Sequence, residues 1–233
     1  MKLTKYLRKQ GYDLIDGPVR NHKELQLWLK TPGDVVELYH DKIAYAFKSK
    51  IKLKSIKNDA LNVNSSKKNE YGFNVGMTIL GENLKSMGMG NLDLSSSLKG
   101  GKKVSISYDN SICKEVPIGG IQNYLASSDF THPNPTLLKN ANQDRILVVS
   151  GVLYAKNLVV DIETDFNLDT ALETELNKVG NGKLDFSIKG SQKLKMVSKG
   201  NTYFPIAVKA NRIDYDKGIF VNTKLVTDNR KFF

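Results

Sequence analysis

Residues 158–188 constrain the fold more than any other stretch of the chain. Leu158, Val160, Ile162, Thr164, Phe166 and Leu168 fall on one parity, and Asp161, Glu163, Asp165, Asn167 and Asp169 on the other. Alternation of this kind marks a β-strand with one apolar and one acidic face. A second such strand follows, with Leu184, Phe186 and Ile188 set against Lys183, Asp185, Ser187 and Lys189. Residues 158–168 at about 3.3 Å each span roughly 36 Å, longer than most strands of globular proteins, and a tilted strand of that length crosses a hydrocarbon core of about 30 Å. Two readings fit. These are half-buried strands of an ordinary sheet, or they are membrane staves held in a soluble form.

The rest of the chain offers no other route across a membrane. No stretch approaches the ~18 apolar residues of a membrane helix. The start, Met1-Lys-Leu-Thr-Lys-Tyr-Leu-Arg-Lys9, is basic but lacks the apolar run of a signal peptide. The expectation is a protein made soluble in the cytosol, whose membrane activity would use strands. At 233 residues the chain suits one large domain or two small ones. Its formal net charge of +11 points to an anionic partner: nucleic acid, phospholipid or an acidic protein. The single cysteine, Cys113, excludes an intramolecular disulfide and favours a reducing compartment.

Along the chain, the spacing predicts a short helix over 2–10, with Leu3, Tyr6 and Leu7 as its apolar stripe, basic residues around them and Gly11 as its cap. Asn21 with Glu24 reads as a capping pair opening a second helix through Leu25, Trp28 and Leu29, stopped by Pro32-Gly33. Asp34 with Glu37 repeats the signal for a third. From Phe47 to Lys57 the pattern is that of a strand or hairpin arm carrying a comb of Lys48, Lys50, Lys52 and Lys54 on one face. Residues 64–70 read as a polar loop. A strand from Tyr71 through Phe73, Val75 and Met77, a short helical piece over 82–87 and a strand over 92–98 form one amphipathic unit. Strands are further expected over 104–108, 146–154, 192–198 and 203–215, and a short helix over 136–141. The stretch 113–145 reads as loop-rich, with Gly119-Gly120 as a break. Thr170 to Val179 is helical by the spacing of Leu172, Leu176 and Val179, so 158–188 is strand, helix, strand. The fold class is α+β, a twisted and mostly antiparallel sheet with short helices.

No catalytic constellation emerges. His22, His40 and His132 lack metal-ligand spacing, and there is no nucleophile elbow, P-loop or dinucleotide fingerprint. The acidic row 161–169 points one way along a line and does not wrap a calcium ion. The expectation is a protein that is not an enzyme and holds no metal or cofactor.

Three stretches resemble the gasdermin family of pore-forming proteins, and most of all its short bacterial members. The first is Leu7-Arg-Lys-Gln-Gly-Tyr-Asp-Leu-Ile-Asp-Gly-Pro18, followed by Leu25-Gln-Leu27 and Phe47. The second is the pair of strand–helix–strand units, similar to the two regions that unfurl into membrane hairpins. The third is Lys193 to Val208, similar to the run in which a strand, a Lys-Gly turn and a second strand close the pore-forming domain. The resemblance spans about residues 3–218. It departs from the family in two ways: the N-terminal cysteine that bacterial members often lipidate is missing, and so is the large C-terminal repressor of animal members.

The resemblance implies residues 1–218 as a pore-forming domain and 219–233 as a short C-terminal segment that restrains it; the alternative is that 219–226 is simply the last strand of the sheet and the pore-former lacks an inhibitor. Ile219, Phe220, Leu225, Phe232 and Phe233 would hold that segment on the apolar parity of the latent strands until an activating protease, caspase-like or other, removes it. The freed domain would bind anionic membrane lipid and self-oligomerise into a β-barrel pore in the inner or plasma membrane, killing the cell in antiphage defence. The membrane-inserting side chains would be Phe73, Val75, Met77, Leu92, Leu94, Val160, Ile162, Phe166, Leu168, Leu184, Phe186 and Ile188. Read from charge, Lys2, Lys5, Arg8 and Lys9 with Lys48, Lys50, Lys52 and Lys54 are the candidate lipid-binding cations. The other open reading is a soluble, basic, β-rich module that binds nucleic acid or another polyanion through the same comb. Against it, only Tyr45 and Phe47 offer aromatic faces nearby, a poor stacking platform for bases.

Overall fold

The structure, a computed structural model, describes residues 7–14, 22–30, 36–60, 63–65, 103–128, 135–163, 170–180, 184–198 and 203–226. In chain order these form β1 (Asp13–Leu14), β2 (Leu27–Lys30), β3 (Val36–His40), a 3-10 turn (Ile43–Tyr45), β4 (Ile56–Asp59), β5 (Val63–Ser65), β6 (Lys103–Glu115), α1 (Ile118–Ala126) and α2 (Pro135–Asn142). Then come β7 (Ile146–Glu163), α3 (Thr170–Gly180), β8 (Leu184–Lys189), β9 (Lys193–Ser198), β10 (Phe204–Asp216) and β11 (Ile219–Val226). All strand pairings among the described residues are antiparallel.

The 18-residue β7 is the spine. One of its edges pairs with β10 along its first half and with β9 over Val159–Glu163. The other edge pairs with β2 at its start and then with β6 over Gly151–Glu163. Its opening run Ile146-Leu-Val-Val149 is fully buried because both faces of the sheet are covered there. Ile146 and Val148 face α1, α2 and the 3-10 turn, in a core with Leu27, Phe47, Ile121, Leu125, Leu137 and Tyr215. Leu147 and Val149 face the opposite way, with Trp28, Val152 and Val208. Each such side chain stabilises the fold by roughly 1.5–3 kcal/mol through burial.

Several expectations are corrected here. The segment holding Leu25, Trp28 and Leu29 is not a helix: Leu27–Lys30 is a central strand between β3 and β7. Leu27 and Trp28 are both buried, so apolar residues fill both faces and their spacing imitates a helical stripe. In place of the helix expected from Asp34, Val36–His40 is strand β3, and Asp34 lies outside the described residues. Gly119 and Gly120 do not break the chain but lie inside α1, where burial of Ile121, Tyr124 and Leu125 outweighs glycine's poor helix propensity. Of the stretch 47–57 expected as a strand, only Ile56 and Lys57 lie in one, β4, and none of the four comb lysines does. Val63–Ser65, expected in or beside a loop, pairs with β6. The strand expected over 104–108 runs on to Glu115. The helices over 136–141 and 170–179 lie where the spacing put them. Gly11, with φ of 80°, closes the helical turn at residues 7–9 as its cap. The unit over 71–98 lies outside the described residues.

Candidate functional site

The outer half of β7 lies between β6 and β9, and β8 continues the sheet beyond β9. Here the alternation is preserved. Val160, Ile162, Phe186, Leu194 and Met196 are buried, whereas Asp161, Asp185 and Lys193 are exposed. The polar parity is not purely acidic, because the register sets Asp161 opposite Lys195 and Glu163 opposite Lys193. Opposite charges facing across strands stabilise a sheet by a few tenths of a kcal/mol to about 1 kcal/mol. Ile188 is half-buried, and only the backbone of Leu184 is described. Phe166 and Leu168 lie outside the described residues, as do Phe73, Val75, Met77, Leu92 and Leu94.

The helix α3 is bonded to β8. Asn177 Oδ1 accepts from the Phe186 N–H at 2.8 Å, and its Nδ2 donates to the Phe186 carbonyl at 2.8 Å. Glu173 Oε2 accepts from the Ile188 N–H at 2.7 Å. Leu176, on the same helical face, is fully buried.

A second constellation joins the N-terminal segment to the sheet. Tyr12 donates its hydroxyl proton to Glu115 at 2.6 Å, and the Cys113 thiol lies 2.5 Å from the same hydroxyl oxygen. Lys209 pairs with Glu115 and sits 4.7 Å from the centre of the Tyr12 ring. A Cβ at Gly151 would stand 3.0 Å from Glu115 Cγ and 3.1 Å from the Tyr12 hydroxyl, so any larger residue there would press on both side chains of this cluster. Burial, then the bonds to Cys113 and Glu115, push Tyr12 far above the usual phenol range. Burial also raises the Cys113 thiol. Sequence reasoning missed this cluster, because its members are scattered over nearly 200 positions and share no motif.

The comb emerges as a strap. Phe47 is buried, stacked on Tyr215 at 5.7 Å, and its carbonyl accepts from the Tyr124 hydroxyl. The chain then runs past α1, with Ser49 bonded to Ser127 and Ser55 to Glu24. Lys48, Lys50, Lys52 and Lys54 are all exposed, and so are the apolar Tyr45, Ile51 and Ile56. Of the N-terminal cations, Lys9 is exposed, but Arg8 is turned onto Asp13 at 2.8 Å. Lys2 and Lys5 lie outside the described residues.

The described part of the segment after Gly218, Ile219–Val226, is strand β11, paired with β10 from Ala210 to Asp216. Its last residue, Val226, packs against the cluster of Leu147, Val149, Val152 and Val208. Phe220 packs edge-on against Tyr215, and Thr223 accepts from Gln122 of α1. Ile219, Val221 and Leu225 are exposed. The connecting turn has positive φ at Lys217 and Gly218, as a two-residue hairpin requires. Tyr215, just before the turn, is buried. Phe232 and Phe233 lie outside the described residues.

No helix among the described residues is long and apolar enough to cross a membrane, which leaves strands to be considered. The Bacterial Gasdermin Family model matches residues 15–219. The chain belongs to the bacterial gasdermin family. Its fold agrees with a solved bacterial gasdermin from Bradyrhizobium tropiciagri, at 14% identity and a TM-score of 0.54, over 95% of this chain and 90% of that one. No curated protein matches the chain.

As a gasdermin, the chain takes a pore-forming role in general, in a family that is not enzymatic and that binds lipid and oligomerises. Besides the Tyr12 cluster, Asn177 and Glu173, which tie a helix to a strand edge, were not foreseen from sequence. One signal was available. Asn is a poor helix former, and a solvated mid-helix position gives little reason to keep it.

Proposed function

We propose that this gasdermin is a latent pore-former whose outer strands, β7, β8 and β9 with β6, are the staves of a membrane barrel. The observation that carries this reading is the single apolar parity on which Val160, Ile162, Phe186, Leu194 and Met196 are buried and Ile188 is half-buried, beside an outward polar parity. A transmembrane barrel needs the same division, apolar to lipid and polar to the lumen. Closure into a barrel also removes the strand edges that lipid does not tolerate. The exposed lysines of the strap, with Lys9, would hold anionic headgroups at about 1 kcal/mol each. Residues 1–218 would be the pore-forming domain and 219–233 the restraint. An activating protease, caspase-like or other, would cut near the hairpin turn at Lys217-Gly218. Self-oligomerisation would follow, then permeabilisation of the inner or plasma membrane and death of the cell in antiphage defence. No catalytic step or cofactor enters this scheme.

Dye release from vesicles of phosphatidylglycerol and phosphatidylethanolamine tests the reading. The full chain is compared with a chain ending at Gly218. Leakage from the shortened chain alone supports both pore and restraint. Equal leakage from both removes the restraint. Absence of leakage, with salt-sensitive binding to an oligonucleotide instead, replaces the pore with a polyanion-binding module.

A further inference from the structure

Strand β8 is an edge strand among the described residues, since it pairs there only with β9. Three backbone groups of Phe186 and Ile188 that face away from β9 are taken by side chains of α3. The Asn177 amide satisfies both the N–H and the C=O of Phe186, as a neighbouring strand would, and Glu173 takes the Ile188 N–H. An uncovered edge is a template for pairing with another chain.

The sequence of β8 says which chain would fit. An antiparallel pairing of two β8 strands centred on Ser187 would make Phe186 and Ile188 the hydrogen-bonded pair, using the same backbone groups that α3 occupies. It would set Asp185 of each copy opposite Lys189 of the other, with both residues on the exposed parity. Within the fold, Lys189 has only Lys193 opposite it on β9, so a carboxylate on its free side offsets a like-charge pair. The arrangement is two-fold symmetric and closes at two copies.

We propose that α3 is a side-chain cover over the β8 edge, and that the partner it excludes is β8 of a second copy of this chain. Asn177 and Glu173 are positioning residues that hold α3 in place. The proposal goes beyond the pore reading and stands apart from it, because an isologous pair does not propagate into a ring.

The test uses the full chain with Asn177→Leu, and Lys178→Ala as an exposed control on the same helix. At dilutions where the variant is monomeric, amide hydrogen exchange is expected to be about tenfold faster at Phe186 and Ile188, the effect of losing about 1.4 kcal/mol of local protection, and to slow again as the dimer forms, with Leu147 and Val148 unchanged. Sedimentation velocity is expected to show a concentration-dependent dimer. Adding Lys189→Asp should abolish the dimer, and adding Asp185→Lys as well should restore it. Unchanged exchange at Phe186 overturns the proposal, and so does faster exchange in a chain that stays monomeric, or a dimer indifferent to residues 185 and 189. If Asn177→Leu also loosens Leu147, then Glu173→Ala carries the same expectations and Glu173→Gln, which keeps an acceptor, should behave as the parent. Failure of the chain ending at Gly218 to release dye sinks the pore reading and leaves these outcomes intact.

Discussion

The Tyr12 hydroxyl donates to the Glu115 carboxylate at 2.6 Å across 103 positions of sequence, pinning the N-terminal segment to the middle of the sheet. Replacing Tyr12 by Phe deletes that bond and the contact with Cys113 while leaving the ring under Lys209. The expected loss is about 1–2 kcal/mol, that of a hydrogen bond to a charged, partly buried acceptor. A lower urea midpoint at unchanged slope would show it. An unaltered midpoint would mean that the ring alone does the pinning.

Glu115 also makes this anchor sensitive to acid. Burial raises its carboxyl, but the hydrogen bonds from Lys209 and Tyr12 outweigh burial and hold it below its ordinary value of 4.5. The unfolded chain therefore takes up this proton first as pH falls. The group's contribution is fully present above the unfolded value and is lost as pH falls through the folded one. Urea midpoints measured from about pH 6 down to about pH 3 should fall more steeply for the parent than for Glu115→Gln. Parallel curves would assign the acid sensitivity to other carboxylates.

In α1, a Cβ added at Gly119 would meet no atom within 4 Å, and the φ of this glycine is not positive. Gly119→Ala should therefore stabilise the protein by about 0.5–1 kcal/mol, through helix propensity and a less flexible unfolded chain. Thermal denaturation would register a rise of a few degrees. A fall would show that this turn of α1 needs glycine for a reason beyond space.

The outer strands were legible because they are buried on one side only. There the period of two survives, and Val160, Ile162 and Phe186 could be placed on a buried parity from sequence. The inner strands were not. Leu27 and Trp28 are buried on both faces, so their pattern carries no period of its own. The comb of Lys48 to Lys54 has the spacing of a strand but no partner strand over 49–55, where α1 takes the place of a neighbour. The register that brings Lys193 and Lys195 opposite Glu163 and Asp161 is a property of pairing, and no single strand encodes it. The same holds for Asn177, whose role exists only once α3 lies along β8.

The strap should set lipid choice. Lys50→Glu with Lys52→Glu reverses two exposed charges. At about 1 kcal/mol per lost cation, binding to anionic vesicles should weaken roughly thirtyfold. The dependence on salt should flatten as well, since exposed charges are screened over about 10 Å at 0.1 M. Flotation with phosphatidylglycerol vesicles at two salt concentrations checks both. Unchanged binding would make the strap only a solvated face.

The stave assignment is best tested at Ile188. A charge at Ile162 or Phe186 would be buried in the latent fold too, so a lost activity there could reflect misfolding. Ile188 shares the parity of Phe186 but is only half-buried, beside the Glu173 carboxylate that takes its N–H. A lysine in its place has room to reach water or Glu173 in the latent chain, so Ile188→Lys should fold with little loss of stability. On the lipid face of a barrel the same ammonium costs on the order of 2–4 kcal/mol near mid-membrane, in every copy of the ring. The variant ending at Gly218 should then bind anionic vesicles as its parent does but release little dye. Full leakage from a stably folded Ile188→Lys chain would take β8 out of the barrel wall.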